Sequence, residues 1–279
     1  VESMPLDVPA VLSMERFTTM QTSRGCPWPC VFCDIPIFNE GKWRARSAQH
    51  VVDELKYLEA NGYGSVYFVD DHFLLQPKRI DAICKGIIDA KLTIQWGIEG
   101  RVDSVAQHLF PAMAQAHCRT VMFGIESGSQ KILDRLQKEQ TLAEVETAVR
   151  NAKKAGIEIV HGFFTVGNPD ETVEDMQKTF DFASKLPLDT FWLDAGWNKD
   201  GFPGAQGNPD ADPVRFPKGL GPVGKEVSKA GMRFLVWFEP ERAMLGSWLA
   251  REHADWLLTP SGTTNELRYM EKDGFRLLD

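Results

Sequence analysis

The stretch SAQHVVDELKYLEANGYGSVYFVDDH, residues 47–72, carries the pattern that decides the fold. Val51, Val52, Leu55 and Leu58 recur at helical spacing, which predicts a helix over 47–60 with one apolar face. Ser47 is placed to cap its first turn, where a hydroxyl can accept from an unpaired backbone N–H. The run Ser65–Val69 then switches to a strand composition rich in Val, Tyr and Phe. It ends on three polar residues, Asp70, Asp71 and His72.

The same unit repeats on both sides. Upstream, Thr18–Ser23 predicts a first short strand. Downstream, helices are expected over 77–89, 103–116, 142–155, 172–186 and 222–230, and strands over 92–97, 120–125, 157–165, 189–193 and 233–238. Gly156 is expected to close the helix that begins at 142. Alternating βα units at this spacing predict a parallel sheet with right-handed crossovers, hence an α/β fold: a complete or partial TIM-like (βα) barrel. Chemistry in such barrels sits on the loops at the carboxyl ends of the strands. The unusual polar residues fall there: Cys26–Cys33, then Asp70, Asp71 and His72, then Glu99 and Arg101, then Glu126 and Ser127. Gly167–Thr172, Asp194 with Trp197, and Glu239 follow the later strands.

The 279 residues are 43% hydrophobic and 25% charged, the composition of an ordinary globular chain. A net charge of −8 argues against general binding to nucleic acid or to an anionic membrane. No apolar run approaches the roughly 20 residues that span a bilayer, and no signal peptide opens the sequence, so the expected compartment is the cytoplasm. A chain that opens at Val1 and closes at Asp279 without a terminating element reads as a fragment.

Five cysteines are present, and three of them share the loop Arg24-Gly25-Cys26-Pro27-Trp28-Pro29-Cys30-Val31-Phe32-Cys33. Cys84 and Cys118 stand alone in helical-looking stretches and are expected to be core residues. Clustered cysteines suggest a metal or a cluster, whereas a disulfide framework would be spread along the chain. Zinc normally takes four ligands in two separated pairs, and no second pair is found. A tight loop that supplies three thiolates, Cys26, Cys30 and Cys33, suits a 4Fe-4S cluster with one iron left open.

The C-x3-C-x2-C spacing, with aromatic Phe32 before the last cysteine, resembles the radical S-adenosylmethionine superfamily. That resemblance implies a cluster whose open iron binds S-adenosylmethionine, one-electron cleavage of a carbon–sulfur bond, and a 5′-deoxyadenosyl radical that abstracts hydrogen. It also implies a small-molecule substrate and an electron donor such as a flavodoxin or ferredoxin. Thr22–Trp28, Arg46-Ser47, Asp70-Asp71, Gly124–Gly128 and Gly167–Thr172 together resemble the subgroup that usually follows a cobalamin-binding domain. By that resemblance Asp70, Glu126, Ser127 and Phe32 lie near the cofactor. Arg101 is a candidate for the methionine carboxylate, which a guanidinium fork would suit. No cobalamin domain is found ahead of the barrel in this sequence, and cobalamin stands as a cofactor that the resemblance allows.

From Asp189 the sequence changes character. Phe191–Trp197, Asp212–Leu220, Gly231–Phe234, Trp237–Arg242 and Ser247–Leu258 resemble the front part of a family 36 α-galactosidase barrel. That resemblance places Asp194 and Trp197 in a sugar subsite with Glu239 close by. Retaining glycosidases need two carboxyl groups about 5–5.5 Å apart. The nucleophile and acid of that family lie on later strands, and neither motif occurs before Asp279. The chain thus reads as a chimera, with residues 1–188 as a radical core and 189–279 as βα units that complete or extend the barrel. Recombination, deliberate fusion and a sequence-assembly artefact all fit a join near Leu188–Trp192. Three functions follow: a radical S-adenosylmethionine enzyme, a carbohydrate-binding or hydrolytic fragment, and an inactive chimeric scaffold.

Overall fold

In the computed structural model, residues 16–201, 204–239, 242–257 and 275–277 are described. Strands and helices alternate: β1 (Phe17–Met20), α1 (Ala48–Ala60), β2 (Ser65–Phe68), α2 (Pro77–Asp89), β3 (Gln95–Gly100), α3 (Phe110–Gln115) and β4 (Cys118–Glu126). They continue as α4 (Leu142–Lys154), β5 (Ile159–Phe164), α5 (Val173–Ala183), β6 (Thr190–Leu193), α6 (Gly221–Lys229) and β7 (Arg233–Val236). The seven strands form one parallel sheet in sequence order. Among the described residues β7 does not pair with β1, so the sheet is an open arc and the barrel is partial.

Local chemistry explains most of these elements. Ser47 Oγ accepts from His50 N at 3.2 Å and caps α1, whose Val51, Val52 and Leu55 are buried. Thr141 and Glu144 form a reciprocal capping box on α4, which ends before Gly156 at φ +92°. Val66, Phe68, Ile98, Val121, Phe123, Val160 and Phe164 alternate along their strands into the layer beneath the helices.

Three expected boundaries move, each for a visible reason. The strand expected at 92–97 lies at Gln95–Gly100, because the N–H groups of Thr93 and Ile94 donate to the Glu59 carboxylate instead of to a neighbouring strand. The helix expected from 103 is regular only over Phe110–Gln115, with Pro111 in its first turn. Ser104 is diverted upstream of it, donating to Leu74 O at 2.6 Å. The first strand stops at Met20, since Thr22 N turns to the Asp70 carboxylate at 2.6 Å.

The segment after residue 188 shares its core with the segment before it. Phe191 on β6 stacks on Phe164 of β5 with ring centres 4.2 Å apart and 3° between planes, and it also meets Phe180 and Phe234. Register runs without a break from His161↔Thr190 on one side of β6 to Leu193↔Val236 on the other. At the opposite end of the strand, Asp189 accepts from Val160 N and Lys153 Nζ through its carboxylate, and from Arg233 N through its carbonyl. Gly167, at φ +84°, lies directly under the Arg215 guanidinium, and a Cβ there would stand 1.4 Å from Nη1. Only glycine admits that side chain. Cys84 and Cys118 are buried as expected, and burial pushes the Cys84 thiol up to about 12.

Candidate active site

The cysteine loop leaves β1 and is tied down at its root by β2. Asp70, buried at the end of β2, accepts from Thr22 N, from the Thr22 hydroxyl and from the Ser23 hydroxyl. Its neighbour Asp71 accepts from Gly25 N at 2.6 Å. Arg79 of α2 reaches up to donate to Thr22 O and Arg46 O. Further along, Val31 N donates to Leu136 O, which ties the loop to the segment that follows β4 in the middle of the arc. Asp70, expected beside the cofactor, thus spends its oxygens on the loop.

All three loop cysteines are free and half-buried. Burial pushes the thiols of Cys26 and Cys33 up, against the N–H groups of Trp28 and Ile35 that pull them down. Holding a metal here would require these thiols to lose their protons. Among the described residues no three His, Cys, Asp or Glu side chains gather around one point as a single ion requires. A cubane asks for a different arrangement, because each thiolate takes its own corner iron. Three sulfurs spread over one loop suit the cluster and not a lone zinc.

Two buried cations grip the aromatic residues of the loop. Arg101, at the end of β3, lies 4.8 Å from the centre of the Trp28 ring, and its Nη1 donates to Cys30 Sγ at 3.4 Å. Lys138 Nζ lies 5.5 Å from the Phe32 ring and forms an ion pair with Glu126 at 2.7 Å, both partners nearly inaccessible. His72 packs edge-on against Trp28 with both ring nitrogens unpartnered, and burial holds it neutral, at about 4. Lys138 was not legible in the sequence: it follows Glu126 by twelve positions, a separation with no periodicity, across the short helix Gln130–Arg135.

Glu126 sits at a register shift in β4, with φ +67°, which turns its carboxylate to Lys138. The turn after it closes onto α5. Ser127 is buried, its hydroxyl bonded to Thr179 and to Ser129 N. A Cβ on Gly128 would meet the Thr179 Cα at 2.7 Å, which explains the glycine.

Beyond the loop opens a cleft of about 950 Å³. Phe32 and Asp34 form one wall, the residues after β5 a second, and Asp194, Arg215 and Trp237 a third. Asp194 accepts from Ala195 N at 2.7 Å, and burial pushes its carboxyl up. Deeper in the arc, Tyr67 donates to Glu99 at 2.8 Å, and burial raises the Glu99 carboxyl as well. Of the three residues expected to hold a sugar, only Asp194 reaches this cleft. Trp197 is buried edge-on against Phe238 and donates its indole N–H to Trp237 O, so Trp237 takes the wall instead. Glu239 accepts from Gln206 at 3.1 Å, outside the cleft.

The Radical SAM superfamily matches residues 20–183, more than half of the chain, and the chain belongs to it. Members use a 4Fe-4S cluster and S-adenosylmethionine. The Melibiase family matches residues 164–271, overlapping the first match at β5 and α5. An uncharacterised methyltransferase of Pyrococcus horikoshii is 36% identical over 197 residues, covering 68% of this chain and 43% of its own length. Cytidylyl-2-hydroxyethylphosphonate methyltransferase of Streptomyces wedmorensis is 32% identical over 181 residues, covering 61% and 33%. The chain thus spans less than half the length of these relatives. Among solved structures, the radical S-adenosylmethionine methyltransferase TsrM from Kitasatospora setae overlays with a TM-score of 0.59 at 20% identity, over 64% of this chain and 35% of that one. Streptococcus suis SuiB overlays with a TM-score of 0.56 at 14% identity, over 92% of this chain and 53% of its own. The second overlay is too long to stop at residue 188, so β6 and β7 continue the same fold.

Among the described residues no helix is long and apolar enough to cross a membrane.

Proposed function

We propose that the chain is the core of a radical S-adenosylmethionine enzyme that methylates a small molecule, or modifies one by a closely related radical reaction. The observation that carries this reading is the loop of Cys26, Cys30 and Cys33, braced by buried Arg101 and Lys138 and opening on the cleft beside Phe32. Methyltransferases among the relatives support methylation. When bound, cluster and cofactor supply one-electron cleavage of a carbon–sulfur bond. The three thiolates would hold the iron, and Phe32 would face the cofactor from the cleft wall. Glu126 and Ser127 would shape the turn beneath it, and Asp70 would hold the loop in register. A flavodoxin or ferredoxin would deliver the electron, and cobalamin would serve as methyl carrier if a cobalamin domain accompanies this core.

A second reading rests on the Melibiase match and on Asp194, a carboxyl raised by burial at a cleft wall beside Trp237. In it the 189–279 segment is a carbohydrate-binding unit. Two assays separate the readings. Anaerobically reconstituted protein should convert S-adenosylmethionine to 5′-deoxyadenosine with a strong reductant, and should leave a chromogenic α-galactoside intact. Galactoside turnover that disappears in Asp194→Ala would favour the carbohydrate reading, and a full cluster without deoxyadenosine would leave an inactive scaffold.

A further inference from the structure

Arg101 has few donors left for a cofactor. Its Nε and Nη2 form a fork on Asp103, each bond 2.9 Å, and Nη2 also donates to Lys138 O. Nη1 donates to Cys30 Sγ at 3.4 Å, and one face of the guanidinium is covered by Trp28 at 4.8 Å. One fork edge is therefore taken by a carboxylate, and the other is divided between a carbonyl and a sulfur. No bidentate edge remains for the carboxylate of S-adenosylmethionine.

We infer that Arg101 is a positioning residue for the cluster: its N–H fixes Cys30 and stabilises the extra electron of the reduced state, raising the reduction potential. The inference rests on the cluster reading above. The physical basis is that hydrogen bonds to ligating sulfur and nearby positive charge both favour the more negative oxidation state. The effect is strong here because the side chain is nearly inaccessible, where charges are poorly screened. Asp103 offsets part of the charge and holds the guanidinium in place, so the sulfur bond does not depend on bound cofactor.

The test uses reconstituted wild type, Arg101→Lys, Arg101→Gln and Asp103→Asn. Iron and sulfide per chain, the midpoint potential by EPR-monitored titration, and S-adenosylmethionine affinity are measured on each. The midpoint should become more negative from wild type to Arg101→Lys to Arg101→Gln, while affinity changes little. Asp103→Asn, which removes a negative charge, should move it the other way. Should Arg101→Gln fail to take up iron, Arg101→Lys and Asp103→Asn still carry the two opposite shifts. Unchanged midpoints, or an Arg101 variant that loses cofactor affinity at constant potential, would overturn the inference. Wild type that takes up no iron would instead refute the cluster reading.

Discussion

Asp70 couples β2 to the cysteine loop through three hydrogen bonds made by one buried carboxylate. In Asp70→Asn the charge is lost and the amide presents N–H groups to donors that need an acceptor. The expected cost is about 2–4 kcal/mol, the range for disrupting buried bonds to a charged group. Urea unfolding should show that loss, and iron uptake should fall with it. Unchanged stability would mean that the loop is held elsewhere. The cysteine spacing and the Asp70-Asp71 pair were legible in the sequence, because ligand spacing and strand ends are local patterns. What each carboxylate touches was not. Asp70, Glu126 and Arg101 all reach the site, yet their partners Thr22, Lys138 and Asp103 are set by how the strand ends converge. Trp197 shows the same limit, since nothing local distinguishes a cleft-lining tryptophan from a buried one.

Among the elements, β6 joins the two ends of the chain. Its Phe191 contacts rings from β5, α5 and β7, and so binds the segments before and after residue 188 into one core. Phe191→Ala should cost about 3–5 kcal/mol, as large-to-small changes in a closed core do, read by chemical denaturation. A cost near zero would mean that residues after 188 pack independently. The order of the main βα units was legible, because each has its own apolar period, whereas short elements such as the helix Gln130–Arg135 were not. Two of the boundaries that moved, at 92–97 and 103–116, did so where side chains took over backbone bonding: Glu59 at one and Ser104 at the other. Those bonds link positions some thirty residues apart, beyond the reach of any periodicity.

At the scale of the whole molecule, pH should act through histidines that the fold keeps neutral. His161, buried on β5 with both nitrogens unpartnered, is held at about 4 against an ordinary value near 6.5, mainly by burial. Below 6.5 the unfolded chain takes up a proton that the native chain refuses, so its contribution to stability falls from pH 6.5 toward 4. Raised carboxyls at Glu99 and Asp194 act in the opposite sense, losing their stabilising protons as pH rises. The comparison that isolates the histidine is wild type against His161→Phe. The difference should move against wild type by on the order of 3 kcal/mol across that window, and a flat difference would contradict the burial argument. The open arc carries Cys26, Cys30 and Cys33 at one end of its first strand, with a cleft beside Phe32. The most direct test is EPR of the reduced, reconstituted protein with and without S-adenosylmethionine, beside a variant with all three cysteines changed to alanine. The expected result is a 4Fe-4S signal that the cofactor alters through the open iron, and no such signal in the variant. A signal indifferent to the cofactor, or one that survives loss of the three cysteines, would contradict it.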